Sequence, residues 1–186
     1  MSGQRVKVYC HNMETNPKEY ITLKYTNTFV EHDASNWIIQ WQQCRNDYKP
    51  PLKLANFSRV SINIQKMTIN GADYTFAVRT GKFKLEFGQA MDCNGASSFS
   101  SCPHFGDAMI NTLGTGIILD GSTAWGLIAA NKAVMKNFRR SEDGAKISFT
   151  CGGWCGVCGP LSLPLRFILS SEFVPDEEAR AEVCTM

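Results

Sequence analysis

Cys151-Gly-Gly-Trp-Cys155-Gly-Val-Cys158-Gly-Pro160 sets three thiols at C-x3-C-x2-C spacing within a glycine-rich run. Thiolates held that closely could supply three soft ligands to zinc. A closed structural site takes a fourth ligand, and His104 and Cys184 offer one, though neither stands at a motif-defining distance. Zinc is therefore the weaker alternative. The plainer reading is a tight turn whose cysteines are buried as small hydrophobes or joined in disulfides, with no cofactor expected.

The other cysteines add a second possibility. Cys93 and Cys102 fall in a Ser/Gly/Cys/Asn-rich stretch, and Cys184 stands third from the end, so with Cys151, Cys155 and Cys158 they are candidates for intramolecular or intermolecular disulfides. Eight cysteines in 186 residues are too few for a disulfide scaffold. Cys102-Pro-His104, Cys10-His11 and His32-Asp33 pair groups used in nucleophilic catalysis, but adjacency in sequence does not aim a base at a nucleophile. No catalytic residue is assigned, and no small-molecule substrate is implied.

Charge offers one further site. Lys132, Lys136, Arg139 and Arg140 would share a face if Asn131 to Arg140 were helical, giving a small basic patch for phosphate on nucleic acid or lipid. An ordinary solvated face is the competing reading, since Glu142 and Asp143 follow at once. Trp154, flanked by small residues, is either tucked under its turn or offered to a ligand or subunit interface.

The elements that must position these groups read as strands. Apolar residues recur at every second position: Val6, Val8 and Cys10; Ile21, Leu23 and Tyr25; Trp37, Ile39 and Trp41; Val60, Ile62 and Ile64. Asn70-Gly71 has the composition of a tight hairpin turn, so residues 59 to 88 are expected to form a three-stranded meander. Residues 89–106 and 151–160 read as loops, and Asp176 caps an expected short acidic helix over 176–183. The expected fold is mainly β: one domain over 1–186, a two-sheet antiparallel β-sandwich with Greek-key or jelly-roll-like connections and one or two short helices.

Composition narrows the function classes without choosing among them. Hydrophobic residues make up 44% and the net charge is +2, which excludes the disordered class. Only 19% of residues are charged, so the polar surface must be built largely from Ser, Thr and Asn. The start, Met1-Ser-Gly-Gln-Arg-Val-Lys-Val, holds no apolar run of signal-peptide length, which leads us to expect cytoplasmic synthesis with reduced thiols. The sequon Asn56-Phe57-Ser58 would matter only on a secretory route. Low charge, accessible cysteines and missing catalytic motifs favour a non-enzymatic structural protein that self-assembles into a particle or lattice of coat, occlusion or crystal-forming type. Its main partner would be itself. A lectin-like or membrane-active binding module is the alternative, and a cysteine- or zinc-dependent enzyme the second alternative.

Overall fold

The computed structural model describes residues 6–32, 53–81, 84–92, 105–131, 133–153 and 155–170. Within them lie thirteen strands: β1 (Tyr9–His11), β2 (Lys18–His32), β3 (Leu54–Asn63), β4 (Thr68–Asn70), β5 (Ala77–Arg79), β6 (Ala90–Asp92), β7 (Phe105–Asn111), β8 (Ile117–Leu119), β9 (Trp125–Asn131), β10 (Val134–Arg140), β11 (Lys146–Gly152), β12 (Cys155–Pro160) and β13 (Leu165–Leu169). No helix occurs among the described residues.

One long strand organises the molecule. In β2, Ile21, Leu23 and Phe29 turn to the core, as the alternation predicts. Its register against β3 slips between Thr22 and Asn27. At that irregularity Asn27 is fully buried, and its Oδ1 accepts the Asn111 backbone N–H at 2.9 Å. The strand thereby pairs with β1 and β3 in its first half, and with β3, β7 and, in parallel, β6 in its second. The main path runs β10-β11-β7-β2-β3-β4-β13-β8, while β12 joins β6 to β9.

The result is mainly β, as expected, but the strand pairing does not confirm a two-sheet sandwich. They connect into one curled, mixed sheet, because β2 carries partners on both edges in each of its halves and includes a parallel pairing. Among the described residues the apolar side chains form one main core and a small second cluster of Leu85 and Met91. Phe29, Phe57 and Phe87 meet edge to face in the main core, with ring centroids 5.2–5.8 Å apart, and Ile147, Phe149, Leu165 and Phe167 extend the cluster.

Three local expectations change. The run 131–140 is not a helix: Val134–Arg140 is β10, an outer strand antiparallel to β11. Val134, Asn137 and Phe138 are weak helix formers, and a single ten-residue helix gains too little from propagation to outweigh sheet pairing. The first hairpin of the expected meander turns at residues 64–67, with Ser61 opposite Asn70 and Ile62 opposite Ile69. Asn70-Gly71 serves instead as a point of close approach, since a Cβ on Gly71 would lie 3.1 Å from Glu86 Cβ and from the Phe87 amide nitrogen. The runs read as loops are partly strand: within 151–160, Cys151 and Gly152 end β11 and Cys155–Pro160 is β12, and within 89–106, Ala90–Asp92 is β6 and Phe105 and Gly106 begin β7. The C-terminal helix expected over 176–183 lies outside the described residues.

Candidate functional site

Two turns meet at one end of the sheet. Between β1 and β2, Asn12 adopts a positive φ of 58°, and its carbonyl accepts the amides of Thr15 and Asn16. Asn tolerates this left-handed conformation better than most residues. The turn brings Met13 and Pro17 beside the β3–β4 hairpin, where Asn63 Oδ1 accepts the Lys66 amide at 2.9 Å. Between the two turns opens a cleft of about 290 Å³. Met13, Pro17, Ile62 and Ile64 give it apolar surface, while Lys18, Glu19, Ser61, Asn63, Gln65 and Asn70 give it polar surface.

The cleft's electrostatics are set by a buried carboxylate next to it. Asp73 Oδ2 accepts from Lys18 Nζ at 2.8 Å and from the Tyr20 hydroxyl at 2.9 Å, and its Oδ1 accepts the Thr75 amide at 3.0 Å. Burial by itself would raise the Asp73 pKa, but hydrogen bonds from Lys18, Thr75 and Tyr20 bring it down to about 2. The same hydrogen bond and charge hold the Lys18 ammonium above its usual range. The Lys18 charge is thus already compensated. Glu19, on the same cleft, has no ion pair or hydrogen bond among the described residues.

Unspent hydrogen-bonding capacity collects at this cleft. Ser61 is only 5% exposed, yet its hydroxyl has no partner among the described residues and borders the opening. The side chains of Gln65 and Asn70 are likewise unengaged. Gln65 and Asn70 are exposed, so these groups are hydrated and offer donors and acceptors side by side along the opening.

On the outer face beside the cleft, Phe76 packs edge to face on Tyr20 at 4.9 Å, on His11 at 5.3 Å and on Tyr9 at 5.7 Å. The Arg59 guanidinium lies 3.7 Å over the Tyr9 ring and 4.6 Å over Phe76. This cluster covers the outer side of β2 and fixes Tyr20 where its hydroxyl reaches Asp73.

The residues singled out from sequence are dispersed. Cys151 and Cys158 are joined to each other, tying the end of β11 to β12. Gly152 and Gly153, at φ 149° and 108°, make the bend between these strands, a conformation that glycine permits. A sulfur in a disulfide has no thiolate to give a metal, and among the described residues no group of three or more His, Cys, Asp or Glu is gathered as a metal site. Cys10 is also disulfide-bonded, so the Cys10-His11 pair holds no free thiol. Cys155 falls within β12, while Cys93, Cys102, His104, Lys132, Trp154 and Cys184 lie outside the described residues.

The basic face expected of a helix is taken apart by the strand. Lys136 Nζ sits 4.0 Å over the Phe105 ring, Arg139 points to solvent, and Arg140 turns inward to donate to the carbonyls of Leu119 and Asp120. Asn56 of the sequon is half-buried in β3, and its Oδ1 accepts from Thr28 Oγ1 at 2.8 Å. The cleft itself was missed in sequence. Its only local signal is the density of amide side chains at Asn63, Gln65 and Asn70, which reads as ordinary turn chemistry until the register brings Ser61 opposite Asn70.

Comparison with known proteins adds what geometry does not. Residues 1–166 match the family described as GON domain. The chain is 30% identical over 171 residues to "A disintegrin and metalloproteinase with thrombospondin motifs 20" of Mus musculus, covering 85% of this chain and 9% of that protein. Against the Homo sapiens protein of the same name the identity is 28% over 189 residues, covering 90% and 9%. Against "A disintegrin and metalloproteinase with thrombospondin motifs gon-1" of Caenorhabditis elegans it is 27% over 172 residues, covering 86% and 8%. The chain therefore spans less than a tenth of the length of these relatives. No solved structure matches.

Proposed function

Because this chain belongs to the GON-domain family, we propose that it acts as a non-catalytic, disulfide-tied module of an extracellular protein, contributing binding rather than bond-breaking. The observation that supports this reading is the combination of a family match over residues 1–166 with relatives more than ten times longer, whose names describe a metalloproteinase. One module among many need not carry the chemistry.

Two expectations are thereby corrected. The self-assembling particle or lattice is overturned by the family match, which puts the chain with GON domains and not with coat or crystal-forming proteins. The cytoplasmic location is overturned by the same relatives, which point outside the cell. Oxidised Cys10, Cys151 and Cys158 agree, since structural disulfides persist in oxidising compartments. The first residues of the chain carry no information on the oxidation state of cysteines that pair far along it.

Deletion of the matched segment from the mouse relative tests the proposal. Hydrolysis of a short fluorogenic peptide should stay within about twofold in kcat/KM, while the isolated chain, secreted from animal cells, should hydrolyse none. A fall of about tenfold on deletion, or turnover by the isolated chain, would overturn it.

A further inference from the structure

We propose that the cleft between the β1–β2 turn and the β3–β4 hairpin binds an extended peptide segment, with an aliphatic side chain on its apolar floor and a basic side chain toward Glu19. The inference deepens the reading of the chain as a binding module by naming the partner's chemistry.

Size comes first. At about 290 Å³ the cleft sits at the lower end of ligand-binding cavities, enough for two or three residues of a chain and too small for a large cofactor. Its lining then discriminates among small ligands. Asn, Gln and Ser side chains present donors and acceptors side by side, as the N–H and C=O groups of a peptide require. Ser61, Gln65 and Asn70 are unengaged and line the opening. Ser61 is 5% exposed as a whole residue, and its hydroxyl, with no protein partner among the described residues, is open to the water of the cleft, which a peptide N–H or C=O can replace. Ile62, Ile64, Met13 and Pro17 provide aliphatic surface, and no aromatic ring is among the lining residues to stack on a sugar.

Charge sets the preference. Lys18 is spent on Asp73, whose carboxylate stays ionised down to about pH 2, so the pair is close to neutral at the pH of the extracellular space. Glu19 is left as the uncompensated charge on the lining. A cationic side chain is attracted there and an anionic one repelled.

The test uses the full 186-residue chain, labelled with nitrogen-15 and titrated with three probes: a capped tetrapeptide carrying one leucine and one lysine, the same peptide with glutamate for lysine, and N-acetylglucosamine. The expected result is movement of the Ser61, Gln65 and Asn70 amide resonances by the lysine peptide, which binds about tenfold tighter than the glutamate peptide. Glu19→Gln should erase that preference, and Ser61→Ala together with Asn70→Leu should weaken binding of both peptides. Equal binding of the two peptides, shifts with the sugar alone, binding untouched by the variants, or no shift with any probe would each overturn the proposal. No protease is present in the titration. Its failure therefore leaves the non-catalytic reading standing, and failure of the deletion experiment leaves the cleft's ligand untouched.

Discussion

Arg79 gives both Nε and Nη2 to a single oxygen of Glu31, at 3.1 and 2.7 Å, and the other oxygen, Oε2, is buried with no hydrogen-bond partner among the described residues. Glu31 is fully buried within β2, and the Arg79 side chain is 14% exposed. The Tyr74 ring lies 4.7 Å from the guanidinium, and a Cβ on Gly81 would fall 2.7 Å from Glu31 Cβ. The pair thus pins β5 and the turn after it against the end of β2. Burial pushes the Glu31 carboxyl above its usual range, with Arg79 pulling the other way.

Arg79→Met leaves the carboxylate without the one cation paired with it among the described residues. Breaking a buried pair from one side costs about 3–5 kcal/mol near neutrality. With the folded-state pKa raised above the unfolded one, protonation favours the fold. The variant's deficit should therefore be smallest below the ordinary carboxylate range and grow as pH rises through the raised value. Urea unfolding at acid and neutral pH measures this. A deficit that is equal at both, or absent, would show that Glu31 is not held charged by Arg79.

Asp73 works with the opposite sign. Its folded-state pKa of about 2 lies below the ordinary aspartate value of 3.8, so its contribution to stability is present above the unfolded value and is lost as pH falls toward 2. The shift corresponds to on the order of 2 kcal/mol. Asp73→Asn should lose that amount at neutral pH and converge with the parent in acid, where both carry a neutral side chain. Thermal unfolding across this acid window would reveal parallel curves if the Lys18 and Tyr20 contacts contributed nothing.

Much of the core was legible before any coordinates. Ile21, Leu23, Val60 and Ile62 are buried as their alternation required, because the period of two is a local property of an extended chain. Pairing was not legible, since it depends on residues distant in sequence. Thr28 meets Met109 and Tyr20 meets Ser61 only through the register of β2 with its neighbours. That register also decides that the β3–β4 hairpin turns at residues 64–67, and that Lys136 and Arg140 part company on β10. The cleft was hidden for the same reason: Lys18, Ser61, Asn70 and Asp73 come from three strands and a connecting segment. The oxidised state of the cysteines was not legible either, because it required Cys151 and Cys158 to be seen facing across two strands.

That disulfide closes a short loop, with a sequence separation of 7. Loop-closure entropy for so few residues predicts a loss of about 2–3 kcal/mol for Cys151→Ser with Cys158→Ser. Both sulfurs lie at zero exposure in the main core, so the double change to alanine should cost less than serine, which adds two buried hydroxyls. Denaturant midpoints of the two double variants rank these effects. Alanine falling below serine would mean that packing volume, not polarity, dominates the site.

The closest backbone approach in the sheet makes the sharpest demand on a single residue. A Cβ on Gly106 would stand 2.3 Å from Val30 Cγ1 and 2.5 Å from Val30 Cβ, with Val30 itself 2% exposed in β2. The clash is with the branched root of a side chain, which no rotamer change removes. It would fall where β7 lies between β2 and Cys151 of β11, so relief requires moving a strand paired on both edges. Gly106→Ala should therefore destabilise by about 1–3 kcal/mol or more through overpacking. Val30→Ala alone should also destabilise, by loss of buried methyl groups. Combined, the two should cost less than their sum, because alanine at position 30 removes the contacts with both γ-methyls, although the 2.5 Å approach to its Cβ remains. A double-mutant cycle from chemical denaturation reads this coupling directly, and strict additivity would place the strain elsewhere than in the contact between these two residues.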